Sequence, residues 1–218
     1  EELFSNKANV CYCMNKILVD SPFSPDHQKC CPKLFTISAP AGVGKTTLVR
    51  MLEQEFSSAF AETISVTTRK PREGEVPGKD YHFVSHEEFQ RLLDRQALLE
   101  WVFLFGECYG TSMLEIERIW SLGKHAVAVI DIQGALFIRS RMPSVSIFIA
   151  PPSQEELERR LASRGSEEGS QRKERLEHSL IELAAANQFD YVIINDDLNQ
   201  AYRVLKSIFI AEEHRNIL

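Results

Sequence analysis

Four short apolar runs along the chain lack the alternation of apolar and polar residues that marks a half-exposed strand. They are rich in Val and Ile and comprise residues 34–39, 126–132, 145–150 and 191–194. Such runs are typical of strands buried on both faces of a parallel sheet. Between them, apolar positions recur at helical spacing in residues 46–57, 112–122, 153–163, 171–186 and 199–214. The alternation predicts an α/β fold with a doubly wound parallel sheet and a ligand site at the carboxyl ends of its strands.

Two stretches interrupt this rhythm. Residues 65–112 combine Pro and Gly with short aromatic strand candidates, which predicts a small β-rich lobe inserted into the core. Residues 159–175 are dense in arginine, and we expect a mobile basic flap there, with an ordinary charged surface as the alternative. Ser85 and Ser153 are each followed three residues later by Glu, which predicts a capping box at the start of a helix.

Composition and charge narrow the class of protein. With 218 residues, the chain is long enough for one sizeable α/β core but not for tandem large domains. No apolar run approaches the ~20 residues that span a bilayer, so we expect no membrane partner. The net charge of −6 argues against a surface that coats nucleic acid. The first residues lack the layout of a signal peptide, and we expect a cytoplasmic protein.

Residues 1–33 have no sustained periodicity and predict a flexible amino-terminal arm. Four of the five cysteines lie in this arm, at Cys11, Cys13, Cys30 and Cys31. Their spacing does not match the common zinc sites, so incidental thiols are favoured, with a metal site as the alternative. Met14 is a candidate natural start of the chain. We expect the fifth cysteine, Cys108, to be a packed thiol.

The most informative local pattern joins the first apolar run to the first helix. Residues 34–48 have the sequence LFTISAPAGVGKTTL, in which a Gly-rich loop is followed by Lys45 and Thr46. Backbone N–H groups around Gly42 and Gly44 can form an anion nest, and the following helix points its positive dipole end at the same place. Lys45 would then reach the β- and γ-phosphates of a nucleoside triphosphate, and the Thr46 hydroxyl would ligate Mg²⁺.

This loop departs from the G-x-x-x-x-G-K-[ST] pattern at one position, because Ala39 replaces the first glycine. A glycine turn without a ligand is the alternative interpretation. A strand before the loop and a helix after it are, however, the context that a phosphate-binding loop needs. The expected triphosphate-binding residues are Ala41, Gly42, Val43, Gly44, Lys45, Thr46 and Thr47.

The longest distinctive stretch lies in the inserted lobe. Residues 65–83 have the sequence SVTTRKPREGEVPGKDYHF, which resembles the T-T-R-x-P-R-x-G-E-x-x-G-x-D-Y-x-F signature of the guanylate kinases. This family moves a phosphoryl group from ATP to GMP. Further stretches match the family in the right order at residues 99–101, 109–111, 131–134, 150–153, 160–165 and 195–197. The resemblance covers about residues 33–215, nearly everything except the arm.

The resemblance implies a P-loop doubly wound sheet with two additions to its core. The implied parts are a core with the P-loop (34–64), a GMP-binding lobe (65–112), core (113–156), a helical lid (157–182) and core (183–218). It also implies ATP and GMP as the small-molecule partners and Mg²⁺ as the cofactor that accompanies ATP. For the oligomeric state we favour a monomer.

Two arginines three residues apart suit a dianionic monophosphate, because a planar guanidinium makes bidentate hydrogen bonds that Lys cannot make. The resemblance assigns the GMP phosphate to Ser65, Arg69, Arg72, Tyr81 and Tyr109. It assigns the guanine base to Glu100 and Thr111. A carboxylate accepts from both N1–H and the 2-amino group of guanine, whereas adenine offers an acceptor at N1 and no 2-amino group. The resemblance also places Asp131 near GMP, with a helix cap as the alternative, just as Tyr81 could simply fill a strand face.

Phosphoryl transfer needs positioning and charge neutralisation more than covalent chemistry from the protein. By resemblance, the migrating group and the ATP tail are held by Lys45 and by the lid arginines Arg160, Arg164 and Arg175. Arg69, with Arg72, would hold the acceptor in line. The resemblance adds Asn195 to the ATP site.

Two alternatives to this function stay open. Relatives of the same fold include inactive modules that bind phosphorylated peptides, but those have lost the loop lysine and the lid arginines, which this chain keeps. Another P-loop small-molecule kinase would need a different acceptor, and the pair of Glu100 and Thr111 favours guanine. Besides Ala39, the chain departs from the family at Val129, where many relatives carry a second acidic residue.

Overall fold

The structure, a computed structural model, describes residues 32–163 and 169–215. Within these ranges the strands are β1 (Leu34–Ser38), β2 (Phe60–Glu62), β3 (Val66–Thr67), β4 (His82–Phe83), β5 (Leu98–Leu104), β6 (Glu107–Ser112), β7 (His125–Val129), β8 (Val145–Ala150) and β9 (Tyr191–Ile194). The helices are α1 (Lys45–Phe56), α2 (His86–Asp94), α3 (Met113–Ser121), α4 (Ile132–Arg141), α5 (Gln154–Ser163), α6 (Gly169–Ala184) and α7 (Leu198–Glu213). No helix in these two ranges is long and apolar enough to cross a membrane.

Five of the strands form one sheet in the order β2-β7-β1-β8-β9. Every neighbouring pair in this sheet is parallel. Helices α1 and α7 cover one face, and α3 and α4 cover the other, so the predicted α/β fold with a doubly wound sheet is confirmed. Because the strands are parallel, the segments that follow β1, β7, β8 and β9 all gather at one edge of the sheet.

Burial on both faces explains why the strands of this sheet lack alternation. In β1, Phe35 and Ile37 pack in the hydrophobic cluster beneath α1 and α7, whereas Leu34 packs in the cluster beneath α3 and α4. All three side chains are buried, and each contributes ~1.5–3 kcal/mol to stability by leaving water. Two cores on one sheet therefore hold the loops at its carboxyl edge on a fixed base.

A second, mixed sheet has the order β4-β3-β6-β5, and all four strands come from residues 66–112. β5 and β6 pair in antiparallel fashion from Leu104 and Glu107 onward, so a turn of only two residues joins them. Helix α2 begins with the expected capping box. Ser85 Oγ accepts a hydrogen bond from Glu88 N at 3.1 Å, and Glu88 Oε2 accepts one from Ser85 N at 2.8 Å.

The expected strand over residues 126–132 is wrong at its carboxyl end. β7 stops at Val129, and Asp131 caps α4, a helix that the apolar pattern did not predict. The cap is a hydrogen bond from Gly134 N to Asp131 Oδ1 at 2.8 Å. Strands β2, β3 and β6 were not predicted either, because the first two have only three and two residues and β6 is rich in polar residues.

At the amino edge of the parallel sheet lies a polar cluster, which we call the amino-edge cluster. It comprises the buried residues His125 and Glu212 and the partly buried residues Lys33 and Tyr191. Lys33 N donates to His125 Nδ1 at 2.9 Å, and Trp120 Nε1 donates to Lys33 O at 3.2 Å. Lys33 Nζ donates to the main-chain oxygen of Glu212 and lies 3.4 Å from its Oε2. Tyr191 Oη donates to Glu212 Oε1 at 2.8 Å. The cluster therefore ties the start of β1 to α3 and α7.

Candidate active site

The predicted phosphate-binding loop connects β1 to α1 at the carboxyl edge of the sheet, where residues 39–42 and 44–47 line a cavity of about 140 Å³. Gly42 and Gly44 have φ angles of 86° and 96°, a left-handed conformation that favours glycine. A Cβ atom on Gly44 would lie 2.7 Å from Asn195 Nδ2, so any other residue would have to displace Asn195. The side chain of Val43 packs in the core, so a phosphate could contact only its backbone.

Ala39 occupies the position of the missing glycine without strain. Among the described residues, the only ones besides glycine with a positive φ are Gln96 and Phe105, so Ala39 has no left-handed backbone. The residue is 5% exposed and packs in the same core cluster as Phe35. The loop therefore gains buried apolar surface at this position and loses no conformation that it needs.

Lys45 and Thr46 form the first turn of α1 and line the cavity of the loop. Burial lowers the pKa of the Lys45 ammonium, and the charges of Glu182, Asp131 and Glu62 oppose this shift. The three carboxylates favour the charged form of Lys45, which is the form that attracts phosphate. The Thr46 side chain is exposed beside it.

The donors available for Mg²⁺ at this site are few. In the described part of the chain, no group of three His, Cys, Asp or Glu side chains is placed to hold a metal ion. Mg²⁺ commonly keeps several waters and binds through one or two protein oxygens together with substrate phosphates, so one hydroxyl at Thr46 fits this ion. The protein itself builds no metal cage among these residues.

Asn195 and Arg160 hold the predicted phosphate-binding loop in place through hydrogen bonds. Asn195 is buried, and its Nδ2 donates to Val43 O at 2.6 Å. Arg160 of α5 donates through Nη1 to Asn195 O at 3.1 Å and through Nε to Glu156 Oε1 at 2.6 Å. The expected ATP contact of Asn195 thus involves a side chain whose amide nitrogen already positions the loop. At the start of α5, Ser153 Oγ accepts from Glu156 N at 3.2 Å.

The side chains of the other two predicted lid arginines are not among the described parts of the chain. Arg164 lies outside the described residues, and so does the side chain of Arg175. The described part of the lid consists of α5 up to Ser163 and of α6 from Gly169, and α6 has described side chains from Leu176 onward.

The inserted lobe brings the predicted phosphate-binding residues Arg69, Tyr81 and Tyr109 together. The Arg69 guanidinium lies over the Tyr81 ring at 5.3 Å, and the rings of Tyr81 and Tyr109 lie 6.2 Å apart. Arg69 also donates from Nη1 and Nη2 to Glu75 Oε2 and Oε1, at 3.0 and 2.8 Å. Arg72 presents an exposed side chain nearby, and its backbone N donates to Glu75 Oε2 at 2.7 Å. Glu75 therefore holds both arginine residues in this conformation.

Ser65 lies at the entry to β3, directly before Val66. Its carbonyl oxygen accepts a hydrogen bond from His82 N at 2.8 Å, and the residue is almost fully buried. Burial raises the pKa of the Tyr81 hydroxyl, with the charge of Tyr109 acting in the same direction. The Tyr81 hydroxyl is thus a neutral donor at physiological pH, as binding to a phosphate requires.

Glu100 and Thr111 form a buried pair between the lobe and the core. Thr111 Oγ1 donates to Glu100 Oε1 at 2.6 Å, and Glu100 is 4% exposed. Glu100 Oε2 and Asp131 Oδ2 are both buried without a hydrogen-bond partner in the described structure. Burial raises the pKa of Glu100 to about 7, although the hydrogen bond from Thr111 lowers it. Two buried carboxylate oxygens without partners indicate a site for a ligand with hydrogen-bond donors.

Gly134 makes room for this carboxylate. A Cβ atom on Gly134 would lie 2.6 Å from Glu100 Oε2 and 3.1 Å from Asp131 Oδ1. The first of these distances is far shorter than any normal contact, so the Glu100 carboxylate reaches its position because residue 134 has no side chain. Asp131 acts as the helix cap and also carries the second unpartnered oxygen.

Three carboxylates of the candidate site were not predicted from the sequence. Glu75 stands three residues after Arg72 within the recognised signature, so its position was a usable signal. Glu62 at the end of β2 and Glu182 in α6 carry no motif and reach the site only through the fold. Burial raises the pKa of Glu62 to about 7. Both are near enough for their charges to act on Lys45.

Comparison with known proteins extends these observations. The family model described as guanylate kinase matches residues 32–212. The chain is 68% identical over 204 residues to the guanylate kinase of Chlamydia abortus, covering 94% of this chain and 99% of that protein. It is 42% identical over 184 residues to the guanylate kinase of Campylobacter jejuni, covering 84% and 90%. The crystal structure of guanylate kinase from Anaplasma phagocytophilum matches with a TM-score of 0.69 and 33% identity, covering 86% of this chain and 89% of that one.

The doubly wound sheet with a Gly-Lys-Thr loop after its first strand, together with these relatives, identifies a P-loop kinase of small phosphate acceptors. The chain belongs to the guanylate kinase family, the nucleoside monophosphate kinases that phosphorylate GMP with ATP. The predicted family and activity are therefore confirmed. The relative from Chlamydia abortus also matches part of the arm, because its 204 aligned residues exceed the 186 residues from Lys33 to Leu218.

Proposed function

We propose that the inserted lobe binds GMP, that the phosphate-binding loop binds ATP, and that the γ-phosphoryl group moves between them to give GDP and ADP. The observation that supports this division most directly is the pair of Glu100 and Thr111, which leaves one buried carboxylate oxygen unpartnered beside Asp131. A buried acceptor is costly unless a ligand satisfies it. Guanine would do so through N1–H and its 2-amino group, whereas adenine would present an acceptor at N1.

For the acceptor phosphate, we propose that it replaces Glu75 on Arg69. The guanidinium fork that now holds the Glu75 carboxylate suits a phosphate equally well. Glu75 keeps the fork aligned before the acceptor arrives, and the phosphate then competes for the same donors. The further phosphate ligands in this proposal are Ser65, Arg72, Tyr81 and Tyr109.

At the donor side, we propose that Lys45 neutralises charge on the β- and γ-phosphates in the transition state. The Thr46 hydroxyl would hold Mg²⁺, which supplies further neutralisation of the phosphate oxygens when it is bound. Arg160, together with Arg164 and Arg175, completes the clamp on the migrating group. Asn195 orients the loop through its bond to Val43.

The proposed working parts are the core (34–64, 113–156 and 183–218), the GMP-binding lobe (65–112) and the lid (157–182). Closure of lobe and lid over the core would exclude water and so protect ATP from hydrolysis. We propose a cytoplasmic monomer whose partners are the two nucleotides, with no nucleic acid or membrane. The acidic net charge of −6 supports the exclusion of nucleic acid.

A coupled assay of ADP production with GMP, dGMP, AMP, CMP and UMP tests the proposal. The wild type should prefer the guanine acceptors, and Glu100→Gln should lose about 2–4 kcal/mol with GMP and much less with AMP. The ratio of kcat/KM for GMP to that for AMP should therefore narrow at least about tenfold. Glu117→Gln, an exposed change on α3, is the control. A ratio that stays unchanged in Glu100→Gln would show that Glu100 does not read the base.

The pH dependence of GMP binding gives a second test. Because the pKa of Glu100 is about 7 and guanine needs the ionised carboxylate, the Kd for GMP should rise by up to about tenfold for each unit of pH below 7. Calorimetry across this range should detect release of a proton on binding. The variant Glu100→Gln should keep only the dependence that comes from the GMP phosphate itself, whose second pKa is about 6. A wild type and variant with identical pH profiles would contradict the role of Glu100.

A further inference from the structure

The tip of the β5–β6 hairpin has an unusual residue for its backbone. The two-residue turn consists of Phe105 and Gly106, with φ angles of 52° and 84°. Two successive positive φ angles are typical of the type I′ turn, for which Asn-Gly is the favoured sequence. A bulky residue with positive φ is strained, and strain of this kind is often retained where the side chain has a task.

The ring of Phe105 contacts the lid. It lies edge-on to the imidazole of His178 in α6, with 5.4 Å between the ring centroids and 61° between their planes. Phe105 is otherwise 47% exposed, so the ring does not serve as a core residue of the lobe. The contact therefore joins the tip of the lobe to the lid.

The imidazole of His178 also lies close to a carboxylate of the candidate active site. His178 Nδ1 lies 3.6 Å from Glu182 Oε2, one turn further along α6. Glu182 is only 5% exposed, and its charge acts on both Lys45 and Asp131. A contact sequence therefore runs from the hairpin tip through His178 to a buried carboxylate between the donor and acceptor sides of the site.

We propose that Phe105 and His178 are positioning residues that couple the acceptor lobe to the lid, so that binding of GMP strengthens binding of ATP and the reverse. The ring contact needs the hairpin tip and α6 to be close together. A nucleotide that draws either part inward stabilises the arrangement in which the two rings are in contact, and the second nucleotide then binds to a site that is already held partly closed. This inference rests on the proposed assignment of GMP to the lobe and ATP to the loop.

The experiment measures the Kd of GMP by calorimetry, with and without a non-hydrolysable ATP analogue and Mg²⁺. In the wild type we expect the analogue to tighten GMP binding by between about twofold and tenfold, the range that one aromatic contact can supply. Phe105→Asn should abolish this tightening and leave the Kd of GMP alone nearly unchanged. Because Asn suits the turn better than Phe, the melting temperature should stay the same or rise, which a structural role of Phe105 would not allow.

A matched control lies two residues earlier on the same hairpin. Phe103 is 62% exposed, and Phe103→Ala should keep the full coupling. His178→Ala should reduce the coupling as far as Phe105→Asn does, and the double variant should show no further loss. His178→Phe, which keeps a ring and loses the pairing with Glu182, should retain most of the coupling between the nucleotides but raise the KM for ATP.

Two results would overturn the inference: an unaltered coupling in a folded Phe105→Asn, or losses from the two single variants that add up in the double variant. A wild type that binds both nucleotides without coupling would overturn it as well. If the wild type does not bind GMP at all, the proposed function is wrong and no coupling can be measured. The same titration therefore distinguishes failure of the proposed function from failure of the coupling.

Discussion

The two edges of the parallel sheet each hold a buried set of charged residues, and the two sets are built in opposite ways. In the amino-edge cluster, the Glu212 carboxylate has protein partners on both oxygens, since Tyr191 and Arg215 bind Oε1 and Lys33 lies near Oε2. At the carboxyl edge, Glu100 and Asp131 each keep one buried oxygen without a described partner. Paired charges hold a fold together, whereas unpaired ones are kept for a ligand at a cost in stability.

The same substitution at the two edges should separate these roles most strongly. Lys45→Met should lower kcat at least about 100-fold, because it removes positive charge from the site of phosphoryl transfer, and should leave the fold intact. Lys33→Met should leave kcat near the wild-type value and lower the free energy of unfolding by about 2 kcal/mol or more, because Glu212 loses a cation. Steady-state kinetics and urea unfolding on both variants test the pair. A Lys45→Met enzyme with more than about a tenth of the wild-type kcat would contradict the assignment of the loop.

Glu100→Gln should stabilise the free protein. The raised pKa means that the folded protein holds a proton between about pH 4.5 and 7 that the unfolded chain has lost, so the stability of the wild type falls as pH rises through this range. The variant lacks this penalty, and its advantage should grow from nothing below pH 4.5 to at most about 3 kcal/mol above pH 7. Urea unfolding at several pH values without nucleotide measures it. A destabilised variant at high pH would mean that Glu100 has a partner that Gln cannot keep.

Glu212→Gln should change the free energy of unfolding in the opposite direction and destabilise the protein. The amide keeps an acceptor for Tyr191 but removes the negative charge beside Lys33, which should cost about 2 kcal/mol of the free energy of unfolding. Activity per folded molecule should not change, because the cluster lies at the opposite edge of the sheet from the proposed nucleotide sites. Glu117→Gln, fully on the surface of α3, serves again as the control. Equal stabilities for Glu212→Gln and the control would remove the contrast between the two edges.

Removal of residues 1–31 should have the smallest effect. The described contacts that tie the amino edge together begin at Lys33, whose backbone and side chain bind His125, Trp120 and Glu212. We expect a change in the free energy of unfolding below about 0.5 kcal/mol and an unchanged kcat. Melting curves and the coupled assay on the shortened chain provide the test. A large drop in either, or zinc in the purified full-length protein, would return attention to Cys11, Cys13, Cys30 and Cys31.

The sequence predicted those features of the molecule that depend on neighbouring residues. The doubly wound sheet followed from apolar runs such as residues 145–150, which match β8, and the Gly-rich loop between β1 and α1 followed from the pattern of Gly42, Gly44 and Lys45. The helix α4 was missed because Ile130 and Ile132 continue the apolar pattern of β7, while the side chain of Asp131 ends the strand. Hydrophobicity alone did not show where the strand ends, and only the alternative interpretation of Asp131 as a helix cap pointed to its hydrogen bond with Gly134 N.

The parts of the site that depend on distant residues could not be predicted in this way. Glu62 and Glu182 are separated from Lys45 by 17 and 137 positions, and only the folded chain brings their charges to it. The contact of Phe105 with His178 likewise joins two segments with no shared pattern. Residues that belong to a sequence signature can be predicted from the sequence. The charges that surround them depend on how the chain folds.

The position of the Glu100 carboxylate depends on Gly134, a residue that has no functional side chain of its own. The space that Glu100 Oε2 occupies exists because a methyl group is absent on the neighbouring helix. A single inherited change to alanine at this position would leave the residues proposed to bind phosphate in place and still crowd the carboxylate proposed to select the acceptor. A genetic screen for loss of guanine nucleotide phosphorylation would then recover a position that neither binds phosphate nor carries a functional group.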